Sequence, residues 1–258
     1  MKVVLLLALL LMAGSAAAEP LRPPPGDAGF AISLSKPGIA PQAGISNYEI
    51  DLFDVPQPTI DSLHAADGYV ICYFSAGTFE DWRPDAARFP ESVLGRDNVG
   101  WPGERWLDIR QREILAPIFG ARLDLAVQKH CDAVDPDNVD GFSNETGFKI
   151  STWDQISFNR WLATEAHTRG LAIGLKNAPD LVQELAGTFD FSVIESCAAE
   201  GSCSDYKPFA DNGKPVFQIE YRDETKDWKA VCAAARAAHF TAILTDEELD
   251  GQAEHCGK

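Results

Sequence analysis

Short hydrophobic segments recur along the chain, and each ends in polar residues before a stretch with helical periodicity begins. Several are apolar at nearly every position, which is typical of parallel strands buried on both faces. Strands that alternate with helices in this way build a parallel sheet. We predict eight strands, within residues 48–53, 69–75, 105–109, 134–142, 171–175, 191–194, 215–219 and 240–244.

The predicted helices carry their own start and stop signals. Ser151 and Asp154 have the spacing of a capping box, and Gly170 ends the helix that they begin. Eight strand–helix units predict an α/β fold, a single-domain (β/α)8 TIM barrel. The alternative is an open doubly wound sheet. Its nucleotide-binding versions lose support because neither a Gly-x-Gly-x-x-Gly motif nor a Walker-type loop occurs.

The first residues have the organisation of a secretory signal peptide. Lys2 precedes an apolar run over residues 3–12, and small residues around Ala16 and Ala18 form a cleavage site. The run is too short to span a bilayer, so we expect no stable membrane anchor and a secreted or periplasmic protein. We therefore divide the chain into a signal peptide (1–18), a Pro/Gly-rich leader (19–44) and a barrel domain (45–258).

The charge and the cysteines narrow the possible partners. A net charge of −17 argues against nucleic acids and anionic membranes and is compatible with a cationic substrate. Six cysteines fit three disulfides in an oxidising compartment. Of the possible pairings, Cys197–Cys203 would close one loop and Cys232–Cys256 would tie a helix to the C-terminal segment, which leaves Cys72–Cys131. Zinc-type ligand spacings are missing from the sequence, and we expect neither a metal nor a cofactor.

Polar side chains collect where the predicted strands end, which is the active-site end of a TIM barrel. Asp137 and Glu195 end strands four and six and can face each other, as the two carboxylates of a glycosidase do. The alternative is that these acids are helix caps or solvated loop residues. Lys176 could adjust the pKa values of the acids or form a purely structural ion pair. The other candidates at strand ends are Asp51, Tyr73, Ser75, Asp135, Asp140, Asn177, Glu220 and Tyr221.

Two further sequence patterns need interpretation, an aromatic-rich segment and a cluster of acids. The long segment 76–104 and the residues after it carry aromatic side chains that suit sugar rings or that pack the segment onto the barrel. The acids of 135–140 resemble a calcium loop only faintly, because Val139, Asp140 and Thr146 stand where such a loop needs a ligand, a glycine and a glutamate.

Five motifs, in order, resemble glycoside hydrolase family 114, the endo-α-1,4-polygalactosaminidase-like family of exported TIM barrels. They are Tyr48-Glu-Ile-Asp-Leu-Phe-Asp54, Val70-Ile-Cys-Tyr-Phe-Ser-Ala-Gly77, Asp135-Pro-Asp-Asn-Val-Asp-Gly141, Gly174-Leu-Lys-Asn177 and Val193-Ile-Glu-Ser-Cys197.

The resemblance implies endo-acting, retaining hydrolysis of α-1,4-linked galactosamine or N-acetylgalactosamine polysaccharide. We also expect a monomer. The resemblance further implies that Asp137 is the nucleophile and Glu195 the acid/base, although these roles could be exchanged. Asp51, Tyr73, Lys176 and Glu220 would line the substrate site. The alternative function is a binding protein that holds a cationic amino-sugar glycan without cleaving it.

Overall fold

A computed structural model describes residues 21–26, 28–35 and 38–256 of the chain; the predicted signal peptide lies outside them. The strands are β1 (Gly29–Ser33), β2 (Ile45–Asp51), β3 (Tyr69–Ser75), β4 (Thr78–Glu80), β5 (Leu94–Asp97), β6 (Glu104–Leu107), β7 (Ala133–Asp137), β8 (Ala172–Lys176), β9 (Phe191–Glu195), β10 (Val216–Tyr221), β11 (Thr241–Thr245) and β12 (Glu254–His255).

Eight parallel strands form the barrel in the order β1-β2-β3-β7-β8-β9-β10-β11, and the short β12 adds antiparallel to β11. At the seam between the first and last strands, Leu34 N–H donates to Leu249 O at 2.8 Å, and an isolated bridge pairs Ser33 with Asp250. The prediction of a (β/α)8 barrel is confirmed.

Helices cover the outside of the barrel: α1 (Gln57–Ala65), α2 (Arg112–Gln128), α3 (Thr152–Thr168), α4 (Val182–Leu185), α5 (Cys197–Glu200), α6 (Lys207–Asp211) and α7 (Trp228–Ala237). The predicted capping box is present, because the Ser151 hydroxyl accepts from Asp154 N–H and the Asp154 carboxylate accepts from Ser151 N–H. Within the described residues, none of these helices is both long and apolar enough to cross a membrane.

Two cores follow from the alternation of side chains along the strands. One fills the barrel interior, where Phe30 stacks on Phe217 with ring centroids 4.5 Å apart. The other lies between barrel and helices and contains Ile50, Cys72 and Ile194. Each strand therefore presents alternate residues to the inside, and the interior positions at the carboxyl ends form the mouth of the barrel.

Two parts of the predicted strand assignment need correction, a strand that was missed and a strand that was placed in the barrel. The structure extends the barrel into the segment predicted as an exposed leader, because β1 is the first barrel strand and buries Phe30 and Ile32. Residues 105–109 do not form a barrel strand: β6 belongs to a separate three-stranded antiparallel sheet, β4-β6-β5, inserted after β3. The two errors offset each other, so Asp137 and Glu195 still end the fourth and sixth barrel strands.

The chain before β1 crosses the amino-terminal end of the barrel, which we call the floor. Arg22 O accepts from the hydroxyl of Tyr69 at 2.7 Å, and Pro25 O accepts from the side-chain amide of Asn47 at 3.0 Å. Pro24 is buried. This part of the predicted leader is therefore hydrogen-bonded across the floor, opposite to the mouth.

Three disulfides join the predicted partners. Cys72–Cys131 links β3 to the approach to β7, Cys197–Cys203 closes the loop after β9, and Cys232–Cys256 ties α7 to the residue after β12. The pairing predicted from the spacing is confirmed.

Candidate active site

Three charged residues from adjacent strands meet at the mouth of the barrel. Asp137, Lys176 and Glu195 are the last residues of β7, β8 and β9. The Lys176 ammonium lies 3.7 Å from Asp137 Oδ2 and 3.3 Å from Glu195 Oε2. Those two oxygens are therefore no farther apart than the sum of these distances, about 7 Å, which permits both carboxylates to act on one glycosidic bond.

A tyrosine holds each of the two carboxylates. Tyr73 donates its hydroxyl to Asp137 Oδ2 at 2.9 Å, and Tyr221 donates to Glu195 Oε1 at 2.5 Å. Asn177 donates its amide to Glu195 Oε2 at 3.0 Å and accepts from Glu195 N–H. Burial, followed by repulsion from the neighbouring carboxylates, raises the pKa of both tyrosines, so each hydroxyl keeps its proton and remains a donor.

Lys176 is the cationic centre of this group. Its side chain is 2% exposed and lies over the ring of Tyr73 at 5.2 Å. Burial by itself would lower the pKa of Lys176, but Asp137, Glu195 and Asp135 raise it further than burial lowers it. Burial would likewise raise the pKa of Glu195, yet Lys176, Tyr221 and Asn177 more than offset that and lower it. At neutral pH the free protein therefore holds a charged lysine against an ionised Glu195.

The backbone turns sharply after each of the three charged residues. Left-handed conformations occur at Asn138 (φ 59°), at Asn177 and Ala178 (φ 49° and 58°) and at Ser196 (φ 53°). Such conformations are unfavourable for residues with a β-carbon and concentrate at functional sites. Gly77 is required opposite the first turn, since a β-carbon there would come within 1.6 Å of Asn138 O.

Two acids lie deeper inside the barrel. Asp135, predicted as a site residue, is fully buried with Oδ2 3.9 Å from Lys176 Nζ. Glu49, which the sequence prediction missed, is also fully buried. Gly174 leaves the space for Asp135, because a β-carbon there would lie 2.8 Å from Asp135 Oδ1. The signal for Glu49 was present: it alternates with the buried Tyr48 and Ile50 and so faces the opposite side of β2, which is the barrel interior.

Three predicted site residues have other partners. Asp51 receives the Arg83 guanidinium at 2.7 Å and the backbone N–H groups of residues 53 and 54. Ser75 bonds to Thr78 at 2.6 Å and accepts from Asn138 at 3.0 Å. Asp51 and Ser75 therefore stabilise the loops at the edge of the mouth. For Asp140, the backbone carbonyl rather than the carboxylate caps the following turn, while burial and repulsion from Asp137 raise the pKa of its side chain.

Glu220 is a clear correction to the predicted site. It is the penultimate residue of β10 and lies on the outer face, whereas Tyr221 faces the mouth. Glu220 Oε1 accepts from Ala198 N–H at 2.9 Å and from Gln218 at 2.7 Å, beside the Cys197–Cys203 disulfide. Since neighbours on a strand point to opposite faces, Glu220 and Tyr221 cannot both line the substrate site.

The aromatic residues of the long insertion divide into buried and exposed ones. Phe89 and Trp106 are buried, and Phe89 packs edge-on against Phe119 of α2 in the core between barrel and helices. Trp82 and Trp101 are 50% and 61% exposed. Trp153, at the start of α3, is exposed as well. Because these three tryptophans follow the third and fourth barrel strands, they belong to the segments that surround the mouth.

Potential metal ligands cluster once in the described part of the chain. Cys197, Cys203 and Glu220 bring ligand atoms within 4.8 Å of one another. The two sulfurs are bonded to each other, so neither is available as a thiolate ligand.

Comparisons with known proteins agree with the observed fold. The profile of the glycoside-hydrolase family GH114 matches residues 12–258. Aspergillus fumigatus Ega3, solved in complex with galactosamine, is 39% identical, covers 93% of this chain and 98% of its own, and has a TM-score of 0.85. The glycoside hydrolase domain of PelA from Pseudomonas aeruginosa shares the fold, at 14% identity over 88% of this chain and 98% of its own, with a TM-score of 0.65.

A protein of unknown function from Deinococcus radiodurans is 24% identical over 227 residues, which are 78% of this chain and 73% of that protein. The profile match spans nearly the whole chain and includes every motif that carried the resemblance. The chain therefore belongs to glycoside hydrolase family GH114 and is a glycoside hydrolase.

Proposed function

We propose that this protein is an exported, endo-acting hydrolase of α-1,4-linked galactosamine polymers, with Asp137 and Glu195 as its two catalytic carboxylates. The observation that carries the proposal is the arrangement of these two acids on either side of Lys176, each held by a tyrosine. The substrate class is supported by the similarity to Ega3, whose structure contains galactosamine.

The proposed reaction is retaining. Asp137 attacks the anomeric carbon and forms a glycosyl-enzyme ester, while Glu195 gives a proton to the leaving oxygen. In the second step Glu195 takes a proton from water, the water oxygen attacks the anomeric carbon, and the ester breaks. Retaining pairs lie about 5–5.5 Å apart and inverting pairs about 6.5–9.5 Å. The distance between Asp137 Oδ2 and Glu195 Oε2 is at most about 7 Å, a limit that includes the whole retaining range but only the lower edge of the inverting range.

The lowered pKa of Glu195 bears on the assignment of roles. A general acid must carry its proton when the substrate is bound, and a carboxyl with a lowered pKa does so only in acidic solution. If Glu195 is the acid, kcat/KM decreases as the pH rises above the range in which it is protonated. If the roles are exchanged, the ionised Glu195 is the nucleophile and its lowered pKa suits it to attack.

The charge of the site supports a cationic substrate. Asp135, Asp137 and Glu195 surround one lysine, and the whole chain carries a net charge of −17. A polymer with free amines offsets part of this negative charge on binding. The exposed Trp82 and Trp101 offer apolar surfaces for sugar rings beyond the cleaved bond, which supports endo action. The three disulfides support export to an oxidising compartment.

Reducing-end release from partly deacetylated α-1,4-galactosamine polymer tests the proposal. Asp137→Asn and Glu195→Gln should each lower release by about 10³-fold or more while the melting temperature stays close to that of the wild type. Oligosaccharide products indicate endo action, and monosaccharide alone contradicts it. An aryl α-galactosaminide with a good leaving group separates the roles, because only the acid/base variant keeps the glycosylation step.

Normal release by both variants would refute the catalytic pair. Tight binding of the polymer by the wild-type protein without any release would favour the alternative function, a glycan-binding protein.

A further inference from the structure

A second pair of acids lies inside the barrel, one layer below the proposed catalytic pair, and the proposed reaction does not use it. Asp135 stands two residues before Asp137 on β7 and faces the same interior. Glu49 stands two residues before Asp51 on β2. Both side chains are fully buried. Two adjacent carboxylates in such a place would repel each other strongly if both were ionised.

The inner pair lacks a hydrogen-bond donor from its surroundings. Among the described residues, no N–H or hydroxyl group donates to any of the four carboxyl oxygens of Glu49 and Asp135. Each of the two groups shifts the pKa of the other, so they are neighbours inside the barrel. Ionised carboxylates only accept hydrogen bonds, so a hydrogen bond between the two requires that one of them be protonated.

Burial and charge favour Glu49, rather than Asp135, as the group that keeps a proton. Burial and then the charge of Asp135 raise the pKa of Glu49 well above its ordinary value. Burial also raises the pKa of Asp135, to about 7, against the opposing effect of Lys176. Five other charged or titratable groups, one from each of five strands, face the inner pair or contact a group that faces it. They are Tyr73, Asp137, Lys176, Glu195 and Tyr221.

We propose that protonated Glu49 donates a hydrogen bond to Asp135, and that the ionised Asp135 positions the Lys176 ammonium between Asp137 and Glu195. Asp135 Oδ2 lies 3.9 Å below that ammonium, while the other two carboxylates approach it at 3.7 and 3.3 Å. Glu49 and Asp135 thus act on the reaction through Lys176 as positioning residues. The inference rests on the proposed function for its kinetic consequence.

Two substitutions of Glu49 separate positioning from space filling. Glu49→Gln keeps a neutral donor to Asp135 and should keep kcat/KM close to the wild-type value. Glu49→Leu keeps the bulk but loses the donor, and should lower kcat by about 10-fold or more, as the loss of supporting hydrogen bonds does elsewhere. Equal kinetics for the two variants would overturn the proposal.

The pH profile of kcat/KM distinguishes positioning by charge from simple packing. Below about pH 7, Asp135 takes up a proton and no longer attracts the Lys176 ammonium, so kcat/KM should decrease there and give the profile an acidic limb. Glu49→Leu should move this limb to higher pH, because the hydrogen bond that lowers the pKa of Asp135 is gone. Asp135→Asn should remove the limb, and its persistence would contradict the proposal. Glu220→Gln is the matched control: an equally buried glutamate on the outer face of β10 should leave the limb in place.

Thermal melting tests the proton on Glu49 independently of catalysis. A group whose pKa is raised in the folded state stabilises that state fully below its unfolded pKa, and this contribution decreases as the pH rises. The melting temperature of the wild type minus that of Glu49→Gln should therefore decrease between about pH 5 and pH 9. A difference that does not change with pH would overturn the assignment of the proton, even if Asp137→Asn and Glu195→Gln had already disproved the catalytic pair.

Discussion

Two buried cations, Lys176 and Arg122, show how differently one barrel treats a positive charge. Arg122, on α2, makes a bidentate pair with Asp85 at 2.8 and 2.9 Å and donates to Ser75 O at 2.7 Å. The rings of four phenylalanines lie within 5.9 Å of its guanidinium carbon. Lys176 faces three carboxylates, and the nearest of their oxygens is 3.3 Å away.

The difference lies in geometry and in the balance of charge. The short, bidentate contacts of Arg122 are those of a satisfied structural ion pair. Lys176 is surrounded by more negative charge than it neutralises, at distances of 3.3 to 3.9 Å that are long for hydrogen bonds. An excess of buried acid destabilises the fold and is typical of a site that adjusts pKa values for chemistry. Lys176 therefore has the surroundings expected of a functional cation, and the Arg122–Asp85 pair has those of a structural one.

The largest expected effect is on stability, at the arginine. Arg122→Met should lower the free energy of unfolding by about 3–5 kcal/mol, because it leaves Asp85 partly buried without its partner. Denaturant titration measures this loss, and kcat/KM per folded molecule should stay within about threefold of the wild type. Arg169→Met is the control, since Arg169 pairs at the surface, where such pairs contribute about 0–1 kcal/mol. Similar losses of unfolding free energy in Arg122→Met and Arg169→Met would contradict the assignment of Arg122 as a buried structural cation.

At the lysine the expected effect is on catalysis. Lys176→Met should lower kcat/KM by about 10²–10³-fold, because Asp137 and Glu195 lose the charge that orients them. Its melting temperature should change less than that of Arg122→Met. Lys214→Met is the matched control, because Lys214 donates to the backbone carbonyls of residues 186 and 189, away from the mouth. Activity close to that of the wild type in Lys176→Met would make Lys176 a structural cation after all.

A smaller effect should appear in the pH dependence of stability near the arginines. Burial raises the pKa of Glu80 to about 7 despite Arg83 and Arg122. Because the folded pKa exceeds the unfolded one, the stabilisation is complete below about pH 4.5 and is lost as the pH rises through 7, by about 3 kcal/mol. Glu80→Gln removes this titration, so its unfolding free energy should vary less than that of the wild type between pH 5 and about pH 8. The same pH dependence of the unfolding free energy in the wild type and in Glu80→Gln would contradict this prediction.

The hydrophobic pattern was sufficient for the fold but did not identify every strand. β1 is five residues long and lies among prolines and glycines, so its apolar pattern is too short to stand out. Residues 105–109 have the composition of a strand and do form one, but antiparallel to β4 in the separate sheet. Which sheet a strand joins depends on contacts distant in sequence, and the composition of one segment does not contain them.

The sequence indicates which residues stand near the end of a strand, but the face that each residue occupies depends on the register. Asp137, Lys176 and Glu195 are terminal strand residues, so a turn of the chain places them at the mouth. Glu220 stands one position earlier on β10, and that single step turns it to the outer face. The pairing of Asp51 with Arg83 depends on the fold of the long insertion, which local patterns do not determine.

The crossing of the barrel floor by residues 21–26 determines how the protein can be immobilised with its mouth accessible. Cys256, at the other end of the described chain, lies beside the start of β11, where its N–H donates to Ala242 O at 3.4 Å. Both ends of the described chain therefore leave on the face opposite to Asp137 and Glu195. A surface, a fusion partner or a resin attached at residue 21 or residue 256 would therefore face the floor and leave the mouth open to solvent.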